Sequence, residues 1–179
     1  MNSKFALLGV SAFACLMLMN SCTTVGEHKT SPSLYYLNFT KADTEEYDFL
    51  RTVYQLASDE IAFAQVVSQR GTSANVKSLA DNLSNQYGEV LSKLSELADE
   101  ANVLLPFPGQ STFELTAGLD SAGTNVLEKV YVEQSLHNQE YIIHQFKNVT
   151  NNTKLSTNRY ASEVLPILKK TKEETEALL

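Results

Sequence analysis

Two consecutive stretches with a repeat of 3.6 residues, together spanning Asp43 to Ala101, restrict this chain more than any other feature. Each carries an apolar stripe with one polar residue at its centre, Glu60 in the first and Tyr87 in the second. With Glu60 taken as zero, Phe49, Val53, Leu56, Ala57, Phe63, Ala64 and Val67 all lie within about 60° of it on a helical wheel. The second stripe runs through Val76, Leu83, Leu91, Leu94, Ala98 and Ala101 around Tyr87. Two helices therefore turn a carboxyl group and a phenol inward.

The helix boundaries are written in the residue types around them. Asp43-Thr44-Glu45-Glu46 reads as a capping box, in which Asp43 accepts at the helix start and Glu46 reaches back to the cap. Gly71 is the expected left-handed terminator, and Ser73 can cap the next helix. A link this short makes the two helices antiparallel neighbours. Prolines 106 and 108 are expected to stop the second helix. The irregular stretch from Val103 to Thr124 is long for a compact domain. It reads as a crossover spanning the bundle, pinned by Phe107, Phe113, Leu115 and Leu119, so that helices two and three run parallel.

A third helix is expected from about Asn125 to Val149. Leu127, Tyr131, Ser135, Gln139, Ile142 and Phe146 share its inner arc, which Val132, Leu136 and Ile143 widen to about half the circumference. On the opposite side Glu133, His137, Glu140 and His144 form a ladder one turn apart. Such a ladder can chelate a metal, but it shares a solvent face with Lys129 and Lys147, and an ordinary exposed helix is the stronger reading. Ser156 is expected to cap a fourth helix. Its inner face carries Tyr160, Val164, Leu168, Thr171, Thr175 and Leu178, with Thr171 at the centre and Pro166 introducing a kink.

The first part of the chain reads as a targeting segment. Lys4 is a short positive region, and Phe5 to Met19 has the length of a signal core rather than of a membrane span. Met19-Asn20-Ser21-Cys22 resembles a bacterial lipobox, with residues 1–21 removed as a lipoprotein signal peptide and Cys22 carrying the lipid. Residues 22–42 then form a tether, whose apolar Tyr35, Tyr36, Leu37 and Phe39 are expected to pack on the domain rather than contact a partner, and residues 43–179 form the bundle. Both cysteines lie in or at the end of the leader, so the domain itself has no disulfide, thiolate metal site or cysteine nucleophile.

Charge narrows the partners. Loss of the leader removes only Lys4, leaving 13 basic and 21 acidic residues and a formal charge of −8. That balance disfavours nucleic acid and anionic lipid surfaces, where clustered Lys and Arg supply the attraction. Hydrolase chemistry finds no support either, because the chain has no Gly-x-Ser-x-Gly elbow and no phosphate-cradling glycine loop. Asp120-Ser121-Ala122 looks like an O-glycosylation triplet of some envelope bacteria, and Asn38, Asn148 and Asn151 head N-glycosylation triplets that are usually silent in bacteria.

From Asp48 to its end the chain resembles the bacterial ferritin-like bundles catalogued as domain of unknown function 4142. The likeness rests on Glu60-Ile61, Asn75-Val76-Lys77-Ser78-Leu79-Ala80, Leu94 to Ala98, Tyr131-Val132 and Leu165-Pro166. It implies an exported four-helix bundle, up-and-down or crossover, and with the irregular stretch already described the expected fold is all-α, ferritin-like, with a long connection between helices two and three. In that family an inward glutamate on helix one is joined by a histidine from each of the other helices. The resemblance puts the corresponding positions at Glu60, Tyr87, Gln139 and Thr171, of which only Glu60 matches. Di-iron bundles need several carboxylates and histidines converging from different helices.

The expectation is therefore a hydrogen-bonded polar cluster of Glu60, Tyr87, Gln139 and Thr171, without metal or other cofactor and without catalytic residues. Either Tyr87 and Gln139 donate to Glu60, or Glu60 is held protonated. The function read from the sequence is a non-enzymatic scaffold or interaction module. It is anchored by lipid on Cys22 to the bacterial cell envelope, at the outer membrane or a periplasmic face, and presented to a protein or cell-wall partner. The alternative is a ferritin-like metal-binding or redox protein using Glu60 and Tyr87.

Overall fold

The computed structural model describes residues 40–179, so Cys22, the signal segment and all but the last residues of the tether lie outside the described residues. The described residues form four helices, α1 (Thr44–Arg70), α2 (Ala74–Ala101), α3 (Thr124–Val149) and α4 (Leu155–Glu176), with no strand among them. They make an all-α four-helix bundle. α1 packs against α2 and α3, and α3 packs against α4.

Contacts fix the helix directions. Along α1, Phe49 meets Phe146, Glu60 meets Ser135 and Asn138, and Phe63 meets Tyr131. The α3 numbers fall as the α1 numbers rise, so these helices are antiparallel. Since the three-residue link 71–73 reverses the chain between α1 and α2, helices α2 and α3 run parallel, and the crossover must traverse the bundle. It does so beside α1. Phe107 sits edge-on to Tyr47 at 6.3 Å, Gln55 Nε2 donates to Ser111 O at 3.1 Å, Phe113 lies 5.5 Å from Phe63, and Arg70 Nη2 donates to Leu119 O at 3.0 Å. Of the four expected pins, Leu119 is buried and the other three are partly covered.

Several helix ends differ from the sequence reading. Asp43 does cap α1, its side chain accepting from Glu46 N at 2.8 Å. Glu46, however, does not reach back to the cap. It is buried and accepts a hydrogen bond from Thr157 of α4, a tertiary partner displacing a local one. Gly71 is extended, with φ −67° and ψ 153°, rather than left-handed. Glycine is needed there for space, because a Cβ would stand 2.6 Å from Val67 O and 3.2 Å from Glu128 Oε1.

The prolines do not end α2. Asn102 does, in the left-handed region at φ 54°, and Val103 N donates to Ala98 O in the manner of a left-handed cap. Ser73 caps α2 as expected, accepting from Val76 N. Ser156 does not cap α4, which begins a residue earlier. Asn152 Oδ1 instead accepts from Lys154 N at 2.9 Å and shapes the turn. α4 continues through Pro166 to Glu176.

The entering segment is hooked to the bundle. Lys41 N and Thr40 Oγ1 both donate to Ala101 O, at 2.7 and 3.1 Å, and Lys154 Nζ donates to Lys41 O. The start of α1, the end of α2 and the start of α4 thus meet at one pole.

Candidate functional site

A layer of polar groups crosses the core between two sets of aromatic rings packed edge-on or tilted. Phe49, Phe146 and Tyr160 lie on one side, while Phe63, Phe113 and Tyr131 lie on the other. Glu60, at the middle of the α1 stripe, is fully buried. Apolar residues on both sides of it along α1 leave its side chain no route to water, so its oxygens must find partners inside the protein.

Those partners come from α3. Ser135 Oγ donates to Glu60 Oε1 at 2.5 Å, and Asn138 Nδ2 donates to Oε2 at 3.0 Å. Ser135 and Asn138 are three residues apart and hence neighbours on one helix face. Tyr131, one turn before Ser135, lies close enough to interact electrostatically with Glu60 and Ser135, but its buried hydroxyl is outside ordinary hydrogen-bond geometry. Tyr87 of α2 is buried and close enough to be destabilised as a phenolate by the Glu60 charge.

Burial dominates the electrostatics of the layer. Desolvation raises the Glu60 pKa above its ordinary value, and the Ser135 and Asn138 hydrogen bonds only partly oppose it. Burial, and then the neighbouring Glu60 charge, also drives both phenols upward, so they remain neutral across the physiological range. Ser135 suits either state of Glu60, since its hydroxyl can donate to a carboxylate or accept from a carboxylic acid.

The expected four-residue cluster divides. Tyr87 and Gln139 are buried as expected, but neither supplies the hydrogen bonds to Glu60. Gln139 Nε2 instead donates to Thr175 Oγ1 of α4 at 2.9 Å. Thr171 is not at the centre of the α4 face. It is half-buried and its hydroxyl donates back to Ile167 O. The buried line on α4 is Thr157, Ala161, Leu168 and Thr175, and Thr171 lies about 60° from Leu168 on the helical circle. The inner face of this helix is turned away from the arc that its larger apolar residues suggest.

Asn138 is absent from the inner arc read from the sequence, while Ser135 and Thr175 stand on the expected inner faces but outside the expected cluster. Asn138 carried a readable signal, because it lies about 20° from Tyr131 around α3, whereas Gln139 lies about 80° away. Asn138 therefore looks toward α1 and Gln139 toward α4. Glu128 was also missed. It reaches from α3 to the start of α2, where Oε1 accepts from Thr72 N at 2.6 Å and Ser73 N at 2.8 Å. A carboxylate there satisfies orphan backbone donors and complements the helix dipole.

The donor set does not suit the glutamate and three histidines that the resemblance implies. Around Glu60 stand a hydroxyl, an amide and two neutral phenols, Gln139 is engaged with Thr175, and Thr171 faces elsewhere. Among the described residues no three His, Cys, Asp or Glu side chains are grouped so as to hold one ion. The ladder on α3 has other neighbours: His137 packs edge-on against Tyr141, Glu133 pairs with Lys129, Glu140 with Lys172, and His144 meets Asn148.

A family model described as "Domain of unknown function (DUF4142)" matches residues 38–178. No curated protein and no solved structure matches the chain.

Proposed function

Because the chain belongs to the DUF4142 family, whose description assigns no role, we propose from its own residues that it is a non-enzymatic scaffold or interaction module of the bacterial cell envelope, held to a membrane by lipid on Cys22. The observation that carries the non-enzymatic part is the state of Glu60. Among the described residues it is the one fully buried acid, and both its oxygens already accept hydrogen bonds from uncharged side chains. A carboxyl group committed in this way specifies how α1 sits on α3 rather than waiting for a substrate.

The anchoring part follows from the lipobox-like Met19-Asn20-Ser21-Cys22. Among the described residues no helix is long and apolar enough to cross a membrane, and stable anchoring by acyl chains needs more than one of them. Replacement of Cys22 by serine should shift the protein from the membrane fraction to the soluble one. An unchanged distribution would remove the anchor from the reading.

The runner-up, metal binding or redox chemistry through Glu60 and Tyr87, is favoured by one fact, that the phenol lies within the field of the carboxyl group. Metal analysis of the purified full-length chain decides between the two. The scaffold reading expects no stoichiometric metal and a folded Glu60→Gln variant. One equivalent of metal in the wild type, lost in that variant, would establish the alternative.

A further inference from the structure

Beside α1, away from the buried layer, the crossover makes a tight turn at Phe107-Pro108-Gly109-Gln110. Proline at its second position and Gly109 at φ 83° give the type II geometry, closed by Gln110 N donating to Phe107 O at 2.9 Å. Gln110 Oε1 also accepts from Phe107 N at 3.0 Å, so the turn is fastened from both sides. Between this turn and α1 lies a groove lined by Asp48, Arg51, Thr52, Leu56, Phe107 and Gln110.

Arg51 is unusual within it. Its guanidinium stacks on the Phe107 ring, with Cζ 3.5 Å from the centroid, and lies 5.5 Å from the Tyr47 ring. Stacking explains how the turn is held to α1, but it leaves the donors of the head group unused. No ion pair or hydrogen bond engages Arg51 among the described residues, and its Nε is buried without a partner. The terminal nitrogens are not among the buried unpartnered atoms, and Arg51 lines the groove. An arginine fixed in place by an aromatic face, with its fork open, is prepared for a planar anion at small entropic cost.

We propose that this groove is a binding site for a carboxylate group, gripped by the Arg51 fork and flanked by the Gln110 amide and the Thr52 hydroxyl, with Phe107, Pro108 and Leu56 receiving the apolar part of the ligand. The chemistry selects carboxylate over phosphate. One arginine supplies a single positive charge, Asp48 also lines the groove, and the chain carries a formal −7, so a dianion meets more repulsion than a monoanion. A short peptide with a free C-terminus combines the required anion and apolar body. The proposal does not depend on the lipid anchor or on the role of Glu60.

The test is a titration of purified full-length chain, followed by NMR, with N-acetyl-alanyl-alanine, the same peptide as its C-terminal amide, and inorganic phosphate. The free acid should give saturable shifts centred on Phe107 to Gln110, in the millimolar range, with the amide about tenfold weaker or worse. Arg51→Gln should abolish the difference between acid and amide, while Arg51→Lys retains part of it, with thermal melts confirming that both variants are folded. Should a variant fail to fold, the comparison of acid with amide on the wild type still decides. Equal binding of acid and amide, shifts elsewhere on the bundle, no saturation, or phosphate binding as tightly as the acid would each overturn the proposal.

Discussion

The seam between α1 and α3 and the seam between α3 and α4 both bury polar side chains, yet they solve different problems. In the first, a group able to carry charge is enclosed by Ser135 and Asn138, with two silent phenols beside it. In the second, Gln139 and Thr175 form a neutral amide–hydroxyl pair. Burial is nearly complete in both. What differs is coupling to protons. The buried carboxyl group of the first seam can titrate, and the buried amide–hydroxyl pair of the second cannot.

The strongest way to break this contrast is Ser135→Ala. Removing the short hydrogen bond from the buried Glu60 carboxyl group should lower unfolding stability by about 2–3 kcal/mol at pH 7. Urea denaturation should show a smaller loss at pH 4, where the protonated acid needs its partner less. Next in size, Glu128→Ala should cost about 1–2 kcal/mol, because it strips Thr72 N and Ser73 N of their acceptor. Hydrogen exchange at those two amides should accelerate more than in the centre of α2.

Thr175→Val should cost only about 1 kcal/mol, with no dependence on pH between 4 and 8. A pH-dependent loss there, or one as large as that of Ser135→Ala, would erase the distinction between the seams. The smallest effect at low pH, and the most informative in shape, belongs to Glu60→Gln. Glu60 has a folded pKa raised above its ordinary 4.5, so its contribution to stability is fully present below that value and is lost as pH rises through the folded pKa. The variant should therefore gain on the wild type from pH 4 to pH 8. Parallel stability curves for the two proteins would mean that Glu60 titrates normally.

The bundle was legible because its largest signals are local. Glu60 and Tyr87 stand at the centre of strong apolar stripes, and the position of the crossover follows from the length of an unpatterned segment. What escaped depends on neighbours distant in sequence. Glu46 abandoned its capping box because Thr157 offered a buried partner. Gln139 and Asn138 are adjacent in sequence, but the 100° between them sends one toward α4 and the other toward α1. Thr171 and Thr175 differ by one helical turn, and the longer apolar residues on α4 drew the inferred inner face away from the small Ala161 and Thr157 that actually allow close packing. An apolar stripe shows where a helix buries its surface, but not which neighbour receives each half of it.

The hook at the entrance to α1 has a mechanical consequence. Because Thr40 and Lys41 are tied to Ala101 O and Lys154 Nζ to Lys41 O, tension arriving from the N-terminal side meets three cross-links before it reaches the helical ladder of α1. The first turn of α1 is thereby shielded from peeling, and force is shared with the last turn of α2 and the first turn of α4.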